Sequence, residues 1–176
     1  MLRCLVLLRS LTGKSYMESK RQRLTPGQAR EKIKHYCAYS ERCQQEVKEK
    51  LYGYGLNTSE VDEIVAYLIE EGFINEERYA KQFAGGHFRL KQWGRVKITH
   101  ALKAKGISVY CIKTGLREID EDDYNSLLQK LANQKWNNTR GQLPVSRWAK
   151  TRQFLLQRGF ESHLVLDVLK QFQSAK

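Results

Sequence analysis

From residue 25 onward, apolar positions fall at intervals of three and four, the spacing that sets one stripe along a helix. Thr25-Pro26-Gly27-Gln28 supplies an N-cap threonine, a proline at the first helical position and a glutamine that closes a capping box. Ser40 is positioned to cap a second helix that carries Cys43, Val47 and Leu51 on one face, with Gly55 suited to the left-handed turn after it. A third helix is predicted from near Ser59, with Val61, Ile64, Val65, Leu68 and Ile69 as its stripe and Gly72 as its stop. Asn75 then caps a fourth, whose first turn, Glu76-Glu77, suits the positive end of the helix dipole.

The phrase repeats. Val47-x3-Leu51-x3-Gly55-Leu56-x4-Val61 returns as Ile98-x3-Leu102-x3-Gly106-Ile107-x4-Ile112, and more loosely as Thr151-x3-Leu155-x3-Gly159-Phe160-x4-Val165. A second phrase, Ile74-Asn75-Glu76-Glu77-x-Tyr79, returns as Ile119-Asp120-Glu121-Asp122-x-Tyr124. The period is just over fifty residues. Repeats of that kind bury their stripes against neighbours and stack into elongated, curved arrays, so the expected fold is all-α, built of tandem three-helix repeats. The expected division is an extension over 1–24 outside the fold, a leading helix over 25–39, and three-helix repeats over 40–93 and 94–136. A polar joint over 137–146, with Gly141 and Pro144, leads to a truncated third repeat over 147–176.

The extension carries two false leads. Its unbroken apolar run, Leu5-Val6-Leu7-Leu8, is too short for a signal peptide, and Met17 is a plausible alternative start. Gly13-Lys14-Ser15 imitates the end of a phosphate loop, but the glycine required five residues earlier is Leu8 and the flanking strand and helix are missing. Gly85-Gly86, inside a helical stretch, points to a kink or a close helix approach.

Charge changes the picture next. The 176 residues contain 31 Lys and Arg against 19 Asp and Glu, a net charge of +12, which calls for an anionic partner, nucleic acid before membrane. The excess is segregated. Residues 81–117 hold nine basic groups (Lys81, Arg89, Lys91, Arg95, Lys97, Lys103, Lys105, Lys113 and Arg117) and no acidic one. Phe83, His87, Phe88, Trp93 and Tyr110 lie among them, an interleaving that suits a surface following phosphates and stacking on bases. Phe83 and Trp93 are themselves expected in the core.

Enzymatic signals are missing. His35, His87, His100 and His163 match no metal-binding spacing, no nucleophile motif occurs, and the acidic pairs sit at helix ends, where dipoles account for them. Neither a cofactor nor a catalytic residue is expected. Cys4, Cys37, Cys43 and Cys111 form no pairing pattern and read as free thiols of a reducing cytoplasm, a single redox pair being the alternative. No apolar run approaches the ~18 residues of a membrane span.

The stretch from Ser40 to Ile107 resembles the RecX regulators of the bacterial RecA recombinase. The resemblance rests on Glu46-Val47-x3-Leu51, on Leu68-x3-Gly72-Phe73-Ile74-Asn75-Glu76-Glu77-Arg78-Tyr79-Ala80, and on Arg89, Gly94, Arg95-x-Lys97-Ile98, Leu102 and Lys105-Gly106-Ile107. Phe154-Leu155-x3-Arg158-Gly159-Phe160 is similar to the family's third-repeat signature, and the likeness covers residues 25–172. Thr151, where an apolar residue is expected, and the segment before residue 25 depart from it. The resemblance implies a non-enzymatic, monomeric modulator that binds RecA and its filament on single-stranded DNA. Lying in the filament groove, it would hinder extension, ATP hydrolysis and strand exchange. It carries over Arg78, Arg89, Arg95, Lys97, Lys105, Arg152 and Arg158 as partner-binding residues, and the basic run adds Lys81, Lys91 and Lys103. Two other readings stay open: a stand-alone helix-turn-helix DNA-binding protein, and a scaffold whose concave face takes protein only.

Overall fold

A computed structural model describes residues 23–174; the expectations for the amino-terminal extension and for Cys4 lie outside them. The described residues form nine α-helices: α1 (Pro26–Tyr39), α2 (Gln44–Tyr52), α3 (Thr58–Glu70), α4 (Glu76–Lys91), α5 (Arg95–Ala104), α6 (Val109–Leu116), α7 (Glu121–Asn138), α8 (Pro144–Arg158) and α9 (Ser162–Ser174). Local chemistry starts most of them. Thr25 and Gln28 close the capping box of α1, Asn57 and Glu60 that of α3, and Asn75, Ser108 and Asp120 each accept backbone N–H bonds at the heads of α4, α6 and α7. Helix α3 thus opens just before the expected Ser59. Gly55, Gly106 and Gly159, the three glycines of the repeated phrase, share a left-handed φ of +86°, +75° and +88°.

Ser40 does not cap α2. It is the extended C-cap of α1, and α2 begins at Gln44 after an N-cap Cys43 that makes no side-chain cap bond. Cys43 is fully buried, so packing rather than a cap sets where α2 starts. Ile69, expected on the buried stripe of α3, is 42% exposed, while Val61, Ile64, Val65 and Leu68 form the stripe without it.

Packing divides the helices one step earlier than the repeated phrases did. Helix α1 packs on α2 and α3; α4 packs on α5 and above all on α6; α7 packs on α8 and α9. The units of packing are therefore α1–α3, α4–α6 and α7–α9, three three-helix modules of which the last is complete, in place of repeats over 40–93, 94–136 and 147–176. A repeated sequence reveals its period but not its phase, because a helix between two phrases can close onto either. Here α4 turns Tyr79, Ala80, Ala84 and Phe88 into one core with Ile98, Leu102, Ile107 and Ile112. Its close approach to α6 occurs at Gly115, where a Cβ would stand 2.7 Å from the Ala80 backbone, not at Gly85-Gly86. Helix α4 runs unbroken through both of those glycines.

The joint expected at 137–146 shrinks to the turn between α7 and α8 within the third module. Buried Thr139 closes that turn, its hydroxyl donating to the Trp136 carbonyl at 2.9 Å, and Arg147 donates to the same carbonyl. Thr151 is fully buried and satisfied by the Arg147 carbonyl at 2.9 Å, which explains how a polar residue holds an apolar position of the phrase.

Two hydrophobic cores result. One belongs to α1–α3 and the other runs without a break through α4–α9, so the second and third modules are fused while the first keeps a core of its own. Cys43 reaches from the head of α2 into the larger core. The seam around it is otherwise polar: Lys105 pairs with Glu46 at 2.6 Å, Tyr79 donates to Glu46 at 3.2 Å, and Arg78 pairs with Glu41 at 2.8 Å.

Candidate nucleic-acid interface

The second and third modules meet end to end. The Gly94 and Val96 N–H groups, in the first turn of α5, donate to the carbonyls of Arg158 and Gly159 at the tail of α8, at 2.8 and 3.0 Å. Donors left over at a helix head are thus satisfied by acceptors left over at a helix tail. Between them the Arg95 N–H donates to the Tyr124 hydroxyl at 3.1 Å, and that hydroxyl donates to Glu161 of the α8–α9 turn. Tyr124 is fully buried between Phe88 and Phe160, with ring centroids 5.8 and 5.2 Å away, and burial pushes its pKa up, so it stays a neutral donor.

This junction decides what the expected site residues can do. Five of the ten are held by internal partners. Arg95 pairs with Glu121 at 2.6 Å and lies 4.1 Å over the Tyr124 ring, an arrangement in which the Glu121 bond and charge hold the guanidinium pKa up. Arg158 donates to the Lys91 carbonyl and to Gln92 Oε1, closing the tail of α4 from the neighbouring module. Arg78 bonds Glu41 and the Gly72 carbonyl, Lys81 pairs with Glu77 at 2.9 Å, and Lys105 pairs with Glu46. Arg95 and Arg158 are therefore fasteners of the module junction as well as cations.

The other five, Arg89, Lys91, Lys97, Lys103 and Arg152, form no ion pair with a carboxylate among the described residues. Arg89 folds its guanidinium against the Gly85 backbone, Lys103 is exposed on α5, and Arg152 lies 6.0 Å from the Trp148 ring. Lys91 and Lys97 come together. Their ammonium groups stand 5.3 and 4.6 Å from the Trp93 ring centre, at the rim of a cleft of about 340 Å³. Trp93, Phe154, Gln157 and Arg158 complete its lining, with Arg158 stacked 5.1 Å over Phe154. No acidic side chain faces it.

Phe83 and Trp93, expected in the core, are half-buried at its edge and form an aromatic column along α4 through His87: Phe83 to His87 at 3.8 Å, His87 to Trp93 at 4.6 Å. Burial lowers the His87 pKa, the bond to the Phe83 carbonyl opposes this, and Lys91 and Lys105 lower it further. The neutral ring is accordingly assigned its proton on Nδ1, donated to Phe83 at 2.9 Å, leaving Nε2 to accept from Lys91 at 3.2 Å. Lys91 also lines a second groove, of about 440 Å³, between the first and second modules, but Glu41 and Glu46 stand in that one.

Sequence reasoning missed Tyr124, Glu161, Phe154 and Gln157. The only signal toward them was the pair Gly94 and Gly159, whose roles become visible when the two turns are seen in contact. Cys37, Cys43 and Cys111 are free thiols, and burial pushes the Cys37 thiol up to about 11. Among the described residues no cluster of His, Cys, Asp or Glu could hold a metal ion, and no helix is long and apolar enough to cross a membrane.

Fold and site together define an all-helical protein of tandem three-helix modules with a basic, carboxylate-free cleft at a module junction. Two family models match it in the same phase as the packing: "RecX, second three-helix domain" over residues 75–116 and "RecX, third three-helix domain" over 121–169, together about half of the chain. The chain belongs to the RecX family. It is 31% identical over 130 residues to the regulatory protein RecX of Lactococcus lactis, covering 72% of this chain and 48% of that one. It is 32% identical over 96 residues to RecX of Clostridium perfringens strain 13, covering 54% and 44%. The chain spans about half the length of these relatives. The crystal structure of RecX from Lactobacillus salivarius superposes with a TM-score of 0.74 at 21% identity, over 84% of this chain and 96% of that one. Another RecX crystal structure gives 0.75 at 24%, over 83% and 71%. These likenesses carry the all-α tandem fold.

Proposed function

We propose that this chain is a negative modulator of the RecA recombinase. It binds RecA and the groove of its filament on single-stranded DNA, limiting filament extension, ATP hydrolysis and strand exchange during recombination and repair. It acts in the cytoplasm as a monomer, by binding and without catalysis of its own.

The observation that carries this reading is where the unpaired cations fall. Of the ten candidate residues, the six without a carboxylate partner among the described residues, Arg89, Lys91, Lys97, Lys103, Arg152 and Arg158, all belong to the second and third modules, the part of the chain that the family models match. Like charges left unpaired lower stability unless an anionic partner lies opposite, and three of these, Lys91, Lys97 and Arg158, line one cleft. Two modules that share one core can hold that cleft against a filament that carries nucleic acid.

The test is ATP hydrolysis by RecA on single-stranded DNA, with this protein titrated in at physiological salt. Inhibition well below one molecule per RecA subunit is expected. Inhibition only once the DNA is saturated, lost steeply as salt rises, would move the stand-alone DNA-binding reading ahead.

A further inference from the structure

The cleft between α5 and α8 concentrates positive charge that no carboxylate of the fold neutralises. Its three cations come from different helices: Lys91 from the tail of α4, Lys97 from α5 and Arg158 from the tail of α8. No carboxylate neutralises them, whereas Arg78, Lys81, Arg95 and Lys105 each have one. Trp93 fixes two of the three, since both ammonium groups lie over one ring that itself packs, tilted, against His87. Arg158 is fixed by its bonds to the Lys91 carbonyl and Gln92, which leave other guanidinium N–H groups available. The charges are thus ordered before any ligand arrives, which removes part of the entropy cost of binding.

The lining also carries aromatic walls, Trp93 and Phe154, and an amide, Gln157. A bare phosphate would use only the cations. A duplex would use the cations but keep its bases stacked inside, away from the aromatic walls. An unstacked nucleotide of a single strand uses both, because its phosphate can turn inward and its sugar and base can rest on aromatic carbon.

We propose that this cleft is a phosphodiester-binding site for single-stranded nucleic acid, in which Lys91, Lys97 and Arg158 hold one phosphate and Trp93 and Phe154 wall its nucleotide. The site deepens the reading above by naming the chemistry of one contact, and rests on it only for the filament context.

The test is fluorescence anisotropy of a labelled oligothymidylate with the full chain across a salt series. It compares the parent with Lys91→Gln/Lys97→Gln and with Lys32→Gln/Lys130→Gln, a charge-matched control at exposed positions. Each lost phosphate contact lowers the slope of log affinity against log salt by about 0.7 on a single strand, so the cleft variant, which gives up the hold on its one phosphate, is expected to lose about 0.7. The control is expected to keep the parent slope. Tryptophan emission should change on binding in the parent and lose that change in Trp93→Phe. The assignment is overturned if the cleft variant keeps the parent affinity and slope, or if a blunt duplex binds as tightly as the single strand. RecA hydrolysis, measured on the same proteins, separates the two proposals. Oligothymidylate binding through these lysines without RecA inhibition would uphold the cleft and sink the modulator reading. RecA inhibition together with salt slopes that ignore the cleft would do the reverse.

Discussion

Gly94 and Gly159 touch backbone to backbone. A Cβ on Gly94 would collide with the Gly159 carbonyl, and one on Gly159 would collide with the backbone and Cβ of Lys97. Two turns 65 residues apart in sequence thus close on each other with no room for a side chain, and the continuous core of the second and third modules forms around that contact.

Gly94→Ala is therefore expected to destabilise the chain by about 1–3 kcal/mol through overpacking alone. Gly159→Ala adds a left-handed backbone penalty of about 1–2 kcal/mol. Gly106→Ala, with a similar φ and open space around its Cβ position, should cost only that backbone penalty. Urea unfolding of the three variants ranks them, and a Gly94→Ala protein as stable as the parent would show that the two turns are not in contact.

Tyr124 joins both modules through one hydroxyl that accepts from Arg95 and donates to Glu161. Tyr124→Phe keeps the ring contacts and leaves a half-buried N–H without its acceptor and Glu161 without its donor, at an expected cost of about 1 kcal/mol or more. Hydrogen exchange at the Arg95 amide should accelerate in that variant before amides elsewhere in α5 do.

The seam between the first and second modules should respond to salt more than to pH. Burial pulls the Lys105 pKa down, but the bond and charge of Glu46 outweigh it and hold the ammonium above its ordinary value. The pair's contribution is then complete below the ordinary lysine range and is lost only as pH rises through the raised value, so it is constant near neutrality. A double-mutant cycle on Glu46→Gln and Lys105→Gln is expected to give a coupling of about 1 kcal/mol at low salt that shrinks at high salt. A coupling unchanged by salt would contradict the polar character assigned to this seam.

His87 sets the acid side. Its pKa is lowered by burial in the fold relative to about 6.5 when unfolded. A histidine with a depressed folded value contributes stability that is complete above the unfolded value and lost as pH falls through the folded one. Unfolding midpoints should therefore decline below about pH 6.5, where a proton on Nε2 would replace the bond from Lys91 with repulsion. His87→Gln should flatten that decline, and an equal decline in the variant would remove His87 as its source.

Much of this molecule is decided within a few residues of chain. Thr25 and Gln28, or Asn75 and its own helix head, meet whatever the rest of the protein does, so the caps and most helix starts are legible in the sequence. The same holds for the left-handed turns at Gly55, Gly106 and Gly159, for the all-helical class and for the period of the repeats. Where a start depended on burial instead, as at Cys43, the local reading placed it at Ser40 and was displaced.

The tertiary structure alone decided the phase of the modules and the duties of the cations. Whether α4 closes backward or forward depends on which core receives Tyr79, Ala84 and Phe88, a choice no local pattern expresses. Arg95 reaches a tyrosine 29 residues away and Arg158 a carbonyl 67 residues away, so both looked in sequence like any other exposed charge. Lys91 and Lys97 look no different from Lys81 and Lys105 until the acidic partners of the latter are in place. Sequence determined how much positive charge the chain carries and where it lies along the chain. Folding determined which charges neutralise one another, because that depends on distances set by packing between helices far apart in the chain.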